Sequence, residues 1–259
     1  ILKANISSVI QNIDLYQANL NKLLFYFSKT PLNNLFNESI IMENFNLMNI
    51  FTYVLNMVTS FAGSFSMIIF LLIFLVIEKK FFKLKISKIT KNKNKLKVFS
   101  NINEDIYNYF RIKAFTSFLT GICTFIILIF FKSDLAIAFG ILSFFLNFIP
   151  YIGSLISILL PVIFSIVENF NFMYSIIIFA LLFLTHLLIG NLLENRLMGK
   201  ALNISPIVLL IFLSVMGKLW GISGMFLSVP IIVILIIIFN NFKQTKNIAI
   251  LLSEKGNLK

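Results

Sequence analysis

The 259 residues are 59% hydrophobic and only 12% charged, with a formal net charge of +12 and a mean hydropathy of +0.95. Soluble domains run near 45–50% apolar and about 25% charged, so this composition excludes an ordinary soluble domain. It predicts instead an all-α, polytopic membrane bundle of roughly four to six spans, each needing about 20 apolar residues.

The first elements are amphipathic. Ile6, Val9, Ile10 and Ile13, then Leu20, Leu23, Leu24 and Phe27, recur at helical spacing with polar residues between them. Pro31 separates this helix from a weaker second one. Residues 1–56 carry three Lys against three acids and read as extramembrane or interfacial helices. Residues 57–77 form a first uncharged span. Residues 78–113 follow as a basic loop, with eleven Lys/Arg against Glu78, Glu104 and Asp105. A basic run can bind nucleic acid, but one flanked by spans is a cytoplasmic loop by the positive-inside rule, so no nucleic-acid partner is expected. Its Lys/Asn-rich core, 88–97, reads as mobile, and its second half, 98–113, as helical.

Span two covers 114–131. Residues 135–167 form a third apolar segment, too long at 1.5 Å per residue for a hydrocarbon core of roughly 30 Å. The excess is explained by a break near Pro150, with a second kink at Pro161. A polar turn at 168–171 leads to span four at 172–193, and a polar connection follows at 194–200. The fifth segment, 205–239, repeats the design: helix to Met216, a loop over 217–221, then helix again with Gly224 and Pro230 inside. With the basic loop inside, spans two to five alternate in direction. That places 132–134 and 194–200 outside, and 168–171 and the tail 243–259 inside. Residues 57–242 are the transporter domain, containing two Pro/Gly-broken, discontinuous helices.

Such breaks leave backbone groups without helical partners, tolerated in lipid only where they are buried in protein or line a cavity. Broken membrane helices mark substrate sites in secondary transporters. The candidate pathway residues are therefore Asn147, Pro150, Tyr151 and Gly153 in the first break, and Gly217, Lys218, Gly221 and Gly224 in the second. A packing kink is the alternative for the first. For Lys218 and its neighbour Trp220 the alternative is an interfacial anchor. His186, the single His, is a proton-relay candidate or simply hydrogen-bonded to a neighbour. Glu194 and Arg196 are a gate or solvated loop charges. One His and one Cys cannot build a zinc site, and no phosphate-binding loop is present. No metal, cofactor or enzymatic activity is expected.

Three motifs in order carry a resemblance: Asn147-Phe148-Ile149-Pro150-Tyr151-Ile152-Gly153; Leu197-Met198-Gly199-Lys200 followed by Ser205-Pro206; and Gly221-Ile222-Ser223-Gly224-Met225 running to Val229-Pro230. Together they resemble the autoinducer-2 exporter family of bacterial membrane permeases. The resemblance departs from the family at Asn195, Ser154 and Lys218, where proline, proline and glycine are common. It implies an inner-membrane transporter of about eight spans, a homo-oligomer among membrane lipids, and export of autoinducer-2 or a related polar solute. Because the chain starts at Ile1, it is expected to be the C-terminal part of a longer protein, with about three spans upstream.

Three functions follow. The first is export of a small polar organic solute by alternating access between the two broken segments. The second is monovalent cation/proton antiport, disfavoured because no acid lies inside a predicted span. The third is a non-transporting membrane scaffold.

Overall fold

The computed structural model describes residues 2–28, 52–54, 56–66, 70, 74, 77, 81, 93–198, 204–242, 244–254 and 256. The helix expected after Pro31, most of span one beyond residue 66, and residues 82–92 of the basic loop lie outside them. The described elements are helical: α1 (Leu2–Ser28), α2 (Lys93–Phe130), α3 (Ala136–Leu146), α4 (Ile152–Asn169), α5 (Phe172–Thr185), a π-helical stretch (His186–Leu193), α6 (Glu194–Met198), α7 (Pro206–Asn241) and α8 (Lys246–Leu252). Residues 52–54 and 56–66 are helical as well. Among the described residues there is no strand.

The helix α2 carries large apolar side chains on its exposed face and polar ones on its buried face. On α2, Phe115, Phe118, Ile126 and Ile129 are exposed, while Thr116, Ser117, Thr120 and Thr124 are wholly buried. An apolar exterior around a polar seam suits lipid as the solvent, because exposed apolar surface there forfeits nothing to water. Among the described residues, four stretches are long and apolar enough to cross a bilayer: Ile106–Phe130, Ile152–Asn169, Phe172–Met198 and Pro206–Asn241.

Two compact units divide the chain. Unit 1 gathers 117–147 and 151–190 with the described part of 1–60. Unit 2 gathers 61–116, 148–150 and 191–259.

In unit 1, α3 and α4 form an antiparallel helical hairpin. At its base the Asp134 amide donates to Glu168 Oε1 at 2.6 Å. One-third of the way along, the Phe139 and Phe164 rings meet edge-on at 5.7 Å. The eleven residues of α3 rise only about 16 Å, short of a crossing. Segment 135–167 therefore folds back instead of crossing once with a kink, and 168–171 lies at the same end of the unit as 132–134. Phe131 against Tyr174, 5.9 Å between ring centroids, confirms the shared end. The expected opposite placement of these two turns is wrong. An exposed-loop charge count could not see it, because folding back returns the chain to its starting side. Pro161 sits inside α4 without ending it. Asn171 starts α5, its Oδ1 accepting from the Met173 and Tyr174 amides, which satisfies two donors with no helical partner.

α2 and α3 approach through glycine. A Cβ at Gly140 would lie 2.9 Å from Phe125 Cβ and 3.1 Å from the Gly121 carbonyl, the close backbone approach that small residues permit in membranes. α1 lays Tyr16, Leu20 and Leu23, all buried, against the α3–α4 hairpin.

Unit 2 repeats the folding-back. α7 leaves helical geometry at Gly221, and a Cβ at Gly224 would fall 2.0 Å from the Met216 carbonyl. Residues eight apart on a straight helix would be about 12 Å apart along the axis, so the chain turns sharply there. Val208, Leu209 and Phe212 of the first arm share one apolar cluster with Val229, Ile232 and Val233 of the second. The Ser205 amide donates to the Leu252 carbonyl at 2.9 Å, bringing the start of α7 to α8.

Several expectations shift. Gly217 to Trp220 are helical, not a loop, because only Gly221 adopts a positive φ. The supposed polar connection at 194–200 is helical as far as Met198. Lys93–Lys97, expected to be mobile, open α2, as the good helix propensity of Lys permits.

Replacing Gly140 by Ala forces Phe125 Cβ or the Gly121 carbonyl to move. It is expected to destabilise the protein by about 1–3 kcal/mol, read as a lower melting temperature in detergent.

Candidate functional site

The expected site residues divide between the units. Asn147, Tyr151, Gly153 and His186 belong to unit 1. Pro150, Glu194, Arg196, Gly217, Lys218, Gly221 and Gly224 belong to unit 2.

In unit 1, Asn147 caps α3, its amide bonded to the Ser143 carbonyl at 3.0 Å. Its side-chain Nδ2 donates to Ser117 Oγ on α2 at 3.0 Å, and both residues are buried. The chain is then non-helical over 147–151. Pro150 has no N–H to offer and disfavours helix before it. Tyr151 stands at φ 60°, ψ −61°, a conformation costing a non-glycine residue of order 1–3 kcal/mol. Its carbonyl is used twice, by Ser154 Oγ at 2.8 Å and by the Leu155 amide at 3.1 Å. Gly153 is buried.

Two turns along α4, Ser157 Oγ lies 2.7 Å from His186 Nε2, both buried. His186 opens the π-helical stretch; π-turns recur at functional sites. Ser117, Thr120 and Thr124 are wholly buried along α2. Among the described residues, Thr124 Oγ1 and Ser143 Oγ have no hydrogen-bond partner. Away from the hairpin base, the polar groups within this otherwise apolar interior are thus hydroxyl, amide and imidazole. No Asp, Glu, Lys or Arg occurs in 117–130, 136–167 or 172–190.

The charged groups of unit 1 collect at the hairpin base. Asp134 Oδ2 accepts from Asn12 Nδ2 at 2.9 Å and from the Tyr16 hydroxyl. Asn19 Nδ2 donates to the Val167 carbonyl at 3.0 Å. Burial first, then the bond to Asp134, pushes the Tyr16 phenol above its ordinary range.

In unit 2, Gly217, Gly221 and Gly224 converge at the fold-back of α7, while Lys218 and Trp220 are exposed on its first arm. Gly221 has φ 61°, ψ −142° and open space where a Cβ would sit. Lys113 Nζ contacts Glu194 Oε1 at 2.6 Å, so 113 and 194 share one end of the unit. The expectation that the basic segment and 194–200 lie on opposite sides is overturned by that pair. Arg196 is exposed. Ser117, Thr120 and Thr124 were overlooked in the sequence because they look like minor polar residues in an apolar span. Their three-to-four residue spacing around Gly121 was the available signal.

Apolar helices with exposed apolar faces, and apolar segments that fold back on themselves, define a polytopic helical membrane protein. The chain belongs to the AI-2E family of transporters, whose family model matches residues 1–244. It is 36% identical over 202 residues to a "Putative transport protein" of Borreliella burgdorferi, covering 76% of this chain and 56% of that protein. A protein of the same description from Haemophilus influenzae is 29% identical over 228 residues, 85% of this chain and 65% of its own. The "AI-2 transport protein TqsA" of Escherichia coli K12 is 34% identical over 151 residues, 58% of this chain and 44% of its own. The chain thus spans less than two thirds of these relatives' length.

Two outcomes are expected. Gly221→Ala should cost about 1–3 kcal/mol of stability from torsional strain alone, whereas Gly63→Ala, also with open space, should be neutral or stabilising; melting of the two variants decides. Tyr16→Phe should release α1 from Asp134, costing about 1–3 kcal/mol and quickening amide exchange in α1. Because the folded Tyr16 pKa is raised, its contribution is complete below the ordinary tyrosine pKa of about 10 and fades as pH rises above it. Wild-type α1 should therefore loosen at alkaline pH, and the Phe variant should lack that dependence.

Proposed function

We propose that this chain forms part of an inner-membrane permease that exports a small polar organic solute, of the autoinducer-2 kind, by alternating access. The single observation carrying the reading is the Asn147–Ser117 hydrogen bond at the turn of a helical hairpin in an apolar protein. An amide both donates and accepts, and the hairpin turn adds backbone groups freed from helix. Hydroxyls and amides without formal charge suit a neutral, hydroxyl-rich solute, which can exchange with the internal hydrogen bonds at little net cost. The name of the E. coli relative agrees with that class of solute.

The hairpin is the element that alternates, its turn opening and closing against α2. The basic segment, the start of α6 and the tail face the cytoplasm, as the positive-inside rule asks. The working protein is a homo-oligomer in lipid. Cation/proton antiport is the second reading. It draws on the Asp134 and Glu168 carboxylates, which sit at the hairpin base rather than in the interior.

Efflux of labelled solute from vesicles tests the proposal. Asn147→Leu should fold, by its melting profile, and lower efflux by about tenfold or more, the equivalent of one lost hydrogen bond at the site. Normal efflux through that variant removes the solute role of Asn147. Sodium-driven proton movement in vesicles without solute efflux favours the antiporter.

A further inference from the structure

The Lys113–Glu194 pair is costly where it stands. Lys113 lies within the apolar stretch Ile106–Phe130 and its side chain is 7% exposed, that of Glu194 12%. Charges inside apolar membrane segments are retained where they serve a site. The donors around Glu194 are arranged for a carboxylate. Lys113 Nζ reaches Oε1 at 2.6 Å, and the Thr116 hydroxyl reaches Oε2 at 3.0 Å, so each oxygen has its own donor. One turn earlier on the same face of α2, Tyr109 is 95% buried among Met198, Ile204 and Val229, and among the described residues its hydroxyl has no hydrogen-bond partner. A buried phenol usually finds a partner. A third donor, one helical turn from Lys113, is therefore unspent.

We propose that Lys113, Thr116 and Tyr109 form a binding site for a small organic carboxylate, a site that the chain's own Glu194 occupies when no ligand is present. The proposal does not rest on solute export through unit 1. Glu194 opens the last turn of the continuous helical stretch Phe172–Met198, and terminal helical turns fray more readily than helix interiors. An arriving carboxylate takes over the Lys113 and Thr116 bonds, engages Tyr109, and releases Glu194 with that last turn. Arg111 and Arg196, both exposed on these same helices, make the approach electropositive for an anion.

The test uses the intact protein in lipid nanodiscs, with sodium acetate as probe and sodium chloride at equal ionic strength as control. In Glu194→Ala, acetate should raise the melting temperature saturably and chloride should not. Adding Lys113→Met should weaken that acetate response by about tenfold or more, the worth of one charge-assisted hydrogen bond. In the wild-type protein, saturating acetate should quicken amide exchange over Glu194–Met198, a change that a purely structural ion pair would not undergo. Equal responses to acetate and chloride, an acetate response that survives loss of Lys113, or unchanged wild-type exchange would each overturn the proposal. Stabilisation by inorganic phosphate without any by acetate would overturn the carboxylate assignment. Should Glu194→Ala not fold, Glu194→Ser, which also removes the carboxylate and vacates its place, is read in the same way.

Discussion

Everything in this structure answers to one constraint: within a bilayer, the backbone and polar side chains must find their partners inside the protein. Helices meet it along their length, and turns meet it only by enclosure. The base of the α3–α4 hairpin shows the solution. Glu168 accepts the Asp134 amide just before α3 begins, so the two ends of a folded-back segment are tied by a bond that neither helix could supply alone. α1 adds the Asn12, Tyr16 and Asn19 side chains to the same end. The turn at the far end is satisfied differently, by Asn147 and by the doubly used Tyr151 carbonyl.

The same constraint explains why polarity is turned inward. Along α2, Phe115, Phe118, Ile126 and Ile129 face outward, while Thr116, Ser117, Thr120 and Thr124 are buried. Lipid provides no hydrophobic force to drive those helices together, so association rests on close packing and internal hydrogen bonds. Gly121 and Gly140 supply the first, letting two backbones approach. Ser117–Asn147, Ser157–His186 and Ser165–Ser175 supply the second. The bonds that hold unit 1 together are thus of the kind a polar solute would compete for.

Unit 2 solves the problem with a single residue. One glycine in a conformation closed to other residues turns α7 back on itself, and Gly224 admits the Met216 carbonyl at the crossing. The two arms then seal their apolar faces around Val229, Ile232 and Val233. The buried ion pair of the unit, Lys113 with Glu194, has a donor on each carboxylate oxygen, which helps to offset its desolvation.

Much was legible in the residues themselves. Composition alone required a lipid-embedded helical protein, since an apolar excess of this size cannot be covered in water. Pro150 marked the turn at 147–151, and of the glycines after Met216 only Gly221 leaves helical geometry, inside a helix that otherwise runs on, because ring closure and a missing Cβ are local properties. Three short motifs pointed to the right family. Direction was not legible. Whether a broken segment continues across the bilayer or folds back depends on which distant groups meet, and Asp134 with Glu168, or Ser205 with Leu252, are far apart in the chain. The role of Lys113 was hidden for the same reason: within a run of basic residues it looks like one more cytoplasmic charge, and only the return of Glu194 to its side makes it half of a buried pair. Local chemistry determined where the helices end; the long-range hydrogen bonds, which no spacing rule encodes, decided which ends stand together.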